Sequence, residues 1–207
     1  MVRAALNLAV AEATLGGAQP VLVQGQVEQT YLSLIRTVSI ASGRFRPARD
    51  LIFAPVCGLS VMPVLARMLS GADARPPRLV VDGTPAGEEL AEAMAVADEG
   101  RLVRLAEIAG CEGGTIEDLL PKTRLAALLD RIERRPDRMF ADVLIDWRPF
   151  VPQVLDWARE EGITLAPDWR LKLAERVRNH LLDGAGAAET EALQDRWVKL
   201  LRALQDG

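Results

Sequence analysis

Apolar positions along this chain fall into short continuous runs in the first half and helical stripes in the second. Pro20 to Gln24, Leu51 to Val56, Leu79 to Asp82 and Arg101 to Glu107 are compact runs bounded by turn residues. Such runs predict buried strands. Between them lie helical patterns over Glu28 to Thr37, with Tyr31, Leu34, Ile35 and Val38 on one side, over Val61 to Leu69, and over Pro85 to Ala97. Strand and helix alternate four times, which predicts an α/β fold with a four-stranded, mostly parallel sheet covered by helices.

A different pattern follows Asp118. Helical periods run over Lys122 to Arg135, Phe150 to Glu161, Trp169 to Leu182 and Glu189 to Leu204, the last with a stripe of Leu193, Trp197, Leu200, Leu201 and Leu204. Leu6, Val10 and Ala13 mark a further helix ahead of Gly16-Gly17. The predicted organisation is an N-terminal helix (1–16), an α/β core (17–120) and a helical subdomain (121–207). All four tryptophans, Trp147, Trp157, Trp169 and Trp197, lie in the last part. They are expected to anchor it to the core, since large aromatics dominate burial at such contacts.

The 207 residues are 49% hydrophobic and 26% charged, which suits a globular chain with a sizeable core. No apolar run approaches the ~20 residues of a membrane span, and Asn7 and Glu12 interrupt the N-terminal apolar stretch, so no membrane association and a cytoplasmic location are expected. Cys57 and Cys111 lack zinc-site spacing and read as free thiols. One histidine, His180, inside a helical stripe, argues against Ser-His or Cys-His catalysis. Net charge is −4, and the groups Arg44, Arg46, Arg49 and Arg131, Arg134, Arg135, Arg138 read as solvated faces.

Candidate chemistry gathers at strand ends, where open α/β sheets place their ligands. The first strand ends in Gln24-Gly25 with Glu28 a helical turn later. The third ends in Asp82-Gly83-Thr84-Pro85, and the fourth leads to Thr115-Ile116-Glu117-Asp118. Acids on neighbouring strand ends form an oxygen-rich pocket suited to Mg²⁺ or Mn²⁺. Each also has an ordinary structural role available. Asp82 can bond backbone amides, Thr84 can cap the helix opened by Pro85, Glu117 and Asp118 can charge a helix start, and Glu28 can be solvated.

The segments Val21-Leu22-Val23-Gln24-Gly25-Gln26-Val27-Glu28 and Val80-Val81-Asp82-Gly83-Thr84-Pro85-Ala86-Gly87-Glu88 resemble the two motifs of the topoisomerase–primase (Toprim) fold. Gly114-Thr115-Ile116-Glu117-Asp118-Leu119-Leu120 is similar to the C-terminal Toprim region of the OLD (overcoming lysogenization defect) family of ATP-dependent nucleases. The resemblance implies a metal-dependent DNA endonuclease with Mg²⁺ or Mn²⁺ held by Glu28, Asp82, Glu117 and Asp118. Glu28, Asp82 and Lys172 would be catalytic, the lysine offsetting charge on the phosphate. It further implies DNA, a P-loop ATPase domain in cis or in trans, and a second copy as partners. This chain carries no G-x-x-x-x-G-K loop of its own. Lys172 is also readable as a surface lysine, because its helix turns Leu173, Val177 and Leu181 inward.

Two positions depart from the Toprim pattern. Gln24 stands where the first acid is expected, and Thr84 where Asp-x-Asp has its second. Losing two negative charges weakens affinity for a divalent ion. The expectation is therefore a degraded site with weak or no cleavage. Its rivals are an inactive structural, dimerisation or docking module, and an unrelated α/β domain binding a nucleotide at Asp82.

Overall fold

The computed structural model describes residues 16–56, 58–70, 76–132, 137–182 and 193–205. The expected N-terminal helix, Cys57, and the arginines at 134 and 135 lie outside them. Four strands form one sheet: β1 (Gln19–Val23), β2 (Leu51–Pro55), β3 (Arg78–Val81) and β4 (Leu102–Arg104). The order is β2-β1-β3-β4 and every pairing is parallel. Helices α1 (Gln26–Ala41), α2 (Met62–Leu69) and α3 (Pro85–Asp98) make the crossovers. A helical part follows the sheet, so the α/β architecture expected from the apolar pattern is the one observed.

Strand periodicity explains how the helices distribute. Val21 and Val23 face one side with Leu51, Phe53 and Val80, against Tyr31, Leu32, Leu34 and Ile35 of α1. Leu22, Ala54, Leu79 and Val81 face the other side, against Met62 and Ala66 of α2 and Ala91 and Met94 of α3. One residue of slip would exchange the two sets, and both are fully apolar, as buried parallel strands require. The chain winds from β1 to β2 in one direction and to β3 in the other. The carboxyl ends of β1 and β3 therefore flank the point where strand order reverses.

The fourth strand is shorter than its apolar run. Leu102–Arg104 is extended, but Leu105–Ala109 forms helix α4, closed by Gly110 in the left-handed conformation (φ 72°). Leu-Ala-Glu-Ile-Ala is a sequence of mostly good helix formers ahead of a glycine stop, and that local preference outweighs strand continuation at a sheet edge.

The remaining helices are α5 (Lys122–Leu129), α6 (Phe140–Val143), α7 (Phe150–Glu160), α8 (Trp169–Leu182) and α9 (Gln194–Ala203). They share one continuous apolar cluster with α1 and the inner sheet face. Helices α8 and α9 pack directly on α1, which is thus covered on both sides. Trp197 is fully buried and its indole N–H donates to the Leu119 carbonyl at 2.5 Å. Trp157 donates to the Arg138 carbonyl at 2.8 Å and packs on Phe140. Trp169 is buried as well. Trp147 does not anchor anything: it is 78% exposed in the turn between α6 and α7, beyond the edge of the apolar cluster.

The free edge of β2 is blunted from α1. Gln29 donates to the Phe53 carbonyl at 2.9 Å and Arg36 to the Leu51 carbonyl at 2.5 Å, while Pro55 has no N–H to offer. A sheet edge so occupied is a poor template for a foreign strand.

Because α1 is apolar on the side facing α8 and α9, residues 1–121 expressed alone should lack a fixed tertiary structure. The expected result is a helical far-UV spectrum, dye binding to exposed apolar surface and no cooperative melt. A sharp calorimetric transition equal to that of the full chain would show that the α/β core is independent.

Candidate functional site at the strand-order switch

The switch point brings together side chains from four segments. Gly25 starts α1 without a side-chain cap, so Glu28 falls in the first turn, where the helix dipole favours a negative charge. Asp82 follows the last residue of β3. Glu117 sits in the short 3₁₀ turn Ile116–Leu119. From α8 comes Arg170.

Two glycines make the junction possible. A Cβ on Gly83 would lie 2.8 Å from the Gly114 amide nitrogen, and the Gly83 N–H donates to the Gly114 carbonyl at 2.8 Å. This close approach ties the end of β3 to the loop that delivers Thr115 and Glu117. A Cβ on Gly87 would sit 2.5 Å from the Asp82 carboxylate and closer still to its carbonyl oxygen. Asp82 can therefore fold back over the start of α3 only because position 87 has no side chain.

Arg170 organises the charge. Its Nε donates to Glu117 Oε1 at 2.7 Å and its terminal nitrogen to Oε2 at 2.9 Å, a two-pronged pair. The same terminal nitrogen lies 3.5 Å from Glu28 Oε1. Glu117 is wholly buried, and Thr115 Oγ1 donates to its Oε2 at 2.7 Å. Burial opposes the charge on Arg170, but Glu117, then Glu28 and Asp82, more than offset it and raise its pKa. Burial pushes the Glu28 carboxyl above its ordinary range. Arg170 partly counters this, while Glu117 and Asp82 add to it. Tyr31, a helical turn from Glu28, is fully buried with its hydroxyl unpartnered, and burial with the charge of Glu117 drives its pKa well up.

Asp82, Asp118 and Lys172 have protein partners of their own. Asp82 Oδ1 accepts from the Thr84 hydroxyl at 2.6 Å and from its N–H at 3.2 Å. Thr84 Oγ1 in turn accepts from the Gly87 N–H at 3.2 Å, so Thr84 is the helix cap its Thr-Pro context predicts. Asp118 forms a capping box with Thr115, and its other oxygen accepts from Lys122 at 2.8 Å and the Phe150 amide at 3.0 Å. That carboxylate pins α7 and α5 to the turn. Lys172 is half-exposed and pairs with Asp168 at 2.9 Å, away from the cluster. Gln24 Oε1 is buried at the end of β1 without a partner.

The structure thus joins Glu28, Asp82 and Glu117 electrostatically, supplies Arg170 in place of Lys172, and assigns Asp118 to local architecture. Arg170 was legible as an oddity: it shares the helical stripe of Leu173, Ala174, Val177 and Leu181, whereas Lys172 falls off it. Among the described residues no group of three His, Cys, Asp or Glu side chains is arranged to hold a metal. The donor chemistry agrees, because Glu117, Asp82 and Asp118 already accept bonds from protein groups. These residues, as arranged, do not fit a divalent ion. The cluster can neutralise buried charge and fix α8 against the sheet.

No family model, no curated protein and no solved structure matches the chain. Among the described residues no helix is long and apolar enough to cross a membrane.

Two outcomes check this geometry. Gly87→Ala should lose about 1–3 kcal/mol of stability in denaturant melts, because the added carbon meets backbone rather than a flexible side chain. Glu28 gives a pH signature. With its folded pKa raised, the folded state holds more proton than the unfolded one in the window above about 4.5. Stability contributed by Glu28 therefore falls as pH rises through that window. Glu28→Gln should melt higher than the wild type at pH 8, with the difference shrinking towards pH 4. A lower melt at pH 8 would mean that attraction to Arg170 outweighs burial.

Proposed function

We propose that this chain is a Toprim-like module, of the lineage of the OLD-family nucleases, that has ceased to cleave and serves as a structural part of an ATPase-linked assembly. One observation carries the reading: the strand-end acids that would hold metal are bonded to the protein itself. Arg170 covers Glu117 and approaches Glu28, Thr84 covers Asp82, and Asp118 is locked by Thr115, Lys122 and the Phe150 amide. Gln24 and Thr84, standing where acids are expected, support it from the sequence. A two-metal displacement needs carboxylate oxygens free to bridge ions and phosphate. In this proposal DNA, a P-loop ATPase and a second copy of the chain remain the partners, bound for assembly rather than for hydrolysis.

Plasmid nicking tests it. Wild-type protein in MgCl₂ or MnCl₂ should nick supercoiled DNA no faster than Asp82→Ala does. Metal-dependent nicking by the wild type that disappears in Asp82→Ala would sink the reading and restore a working nuclease.

A further inference from the structure

We infer that the outer face of α9 and the Trp147 indole form a docking strip for single-stranded nucleic acid, with phosphates on Arg196, Lys199 and Arg202 and a base stacked on Trp147. These side chains take no part in the Arg170 cluster. The inference therefore goes beyond the proposed function and does not rest on it.

Packing decides which residues of α9 stay outside. Trp197, Leu200 and Leu201 enter the core, and Arg196, Lys199 and Arg202 are exposed. Cations at intervals of three residues rise by about 4.5 Å each, close to the ~3.4 Å of axis per phosphate along one nucleic-acid strand. Like charges so placed on a helix repel each other and weaken it. Among the described residues, none of the three has an ion-pair or hydrogen-bond partner for its side chain. The acid on this face, Asp195, pairs with Arg44 at 3.7 Å. A chain of net charge −4 thus presents an uncompensated positive row here.

Each end of the row lines a cavity. Lys199 and Arg202 line one of about 830 Å³ together with Arg44. Arg196 lines another of about 530 Å³ together with Trp147, between α9, the start of α5 and the turn after α6. Trp147 is 78% exposed, so packing does not account for it. An indole kept in water beside a cation is a stacking platform that accepts any base, because every base has a π-face. Bases of a duplex are already stacked on one another and cannot reach it without being flipped out.

The acids at the second cavity give the strand its orientation. Asp118 is paired with Lys122 at 2.8 Å, whereas Asp146, next to Trp147, is exposed and repels phosphate. The backbone therefore lies along α9, and the base reaches across to the indole.

Fluorescence anisotropy tests this with the full chain and a labelled thymidine strand of about 12 nucleotides, within the ~4–16 of a typical single-strand site. Wild-type affinity should fall with salt at a log–log slope of about −2, three phosphates at ~0.7 each. Trp147→Ala should weaken binding about tenfold, and Trp147→Phe, which keeps a ring, should restore most of the loss. The triple variant Arg196→Gln, Lys199→Gln, Arg202→Gln should leave no measurable binding. These are surface replacements, so melting temperatures should match the wild type. If the triple variant melts lower, Lys199→Gln alone serves in its place and should flatten the slope by about 0.7. No binding by the wild type in about 50 mM NaCl, or binding unchanged in both sets of variants, overturns the inference. A duplex of the same length bound as tightly as the strand also overturns it. So does displacement of the strand by poly-glutamate at equal charge, which would reassign the row to an acidic protein. Strand binding is read separately from plasmid nicking, so this inference and the proposed function can each fail alone.

Discussion

The arrangement depends on one buried ion cluster, in which the Arg170 guanidinium faces Glu117 and Glu28 with Asp82 alongside. Charged groups are tolerated in an interior only when paired and hydrogen-bonded. Glu117 meets both conditions through a two-pronged guanidinium and the Thr115 hydroxyl. Removing one member of such a pair typically costs about 3–5 kcal/mol, because the survivor stays buried and uncompensated. That is a large share of the about 5–15 kcal/mol by which a domain is stable. The cluster joins the strand ends of the α/β core to α8, so the chemistry of the site and the attachment of the helical part are one interaction.

Helix α1 is the mechanical counterpart of that ionic link. It carries Glu28 in its first turn, covers one sheet face with Tyr31, Leu32, Leu34 and Ile35, and receives α8 and α9 on its other side. Apolar surface from the sheet through α1 to Trp197 forms a single cluster, so the helical part is a second layer around one core. Fixed geometry at the switch point follows. Gly83 and Gly114 hold the loops against each other, Gly87 makes room for Asp82, and Thr84 spends its donor on Asp82 and its acceptor on the α3 amide. Thr84 thus has a complete structural role.

Much of this was legible in the order of residues, because the signals are local. Short continuous apolar runs bounded by turns marked β1, β2 and β3, and Thr84-Pro85 marked the cap of α3. The strand-end positions of Gln24 and Asp82 followed from the same pattern. It misled at Arg101 to Glu107, where a strand-like run is in fact a short strand followed by helix α4, since periodicity cannot separate them over so few residues. It misled again at Trp147, whose size suggested an anchor but whose turn lies beyond the core.

What the sequence determined by itself is the α/β class, the parallel sheet, and the set of acids delivered to one edge of it. Those properties come from hydrophobic period and turn chemistry, which act between near neighbours. Tertiary structure decided which cation the acids meet and which acid stands aside. Arg170 and Lys172 differ by two places in one helix; the apolar stripe of α8 already puts Arg170 on the packed side, but only the docking of α8 on α1 brings it to these acids. Glu117 and Asp118 are adjacent, and only the turn after α4 sends one to Arg170, 53 residues away, and the other to Lys122 and the Phe150 amide. Charge pairing over such separations has no signature in local sequence, because it exists only once the apolar faces have packed.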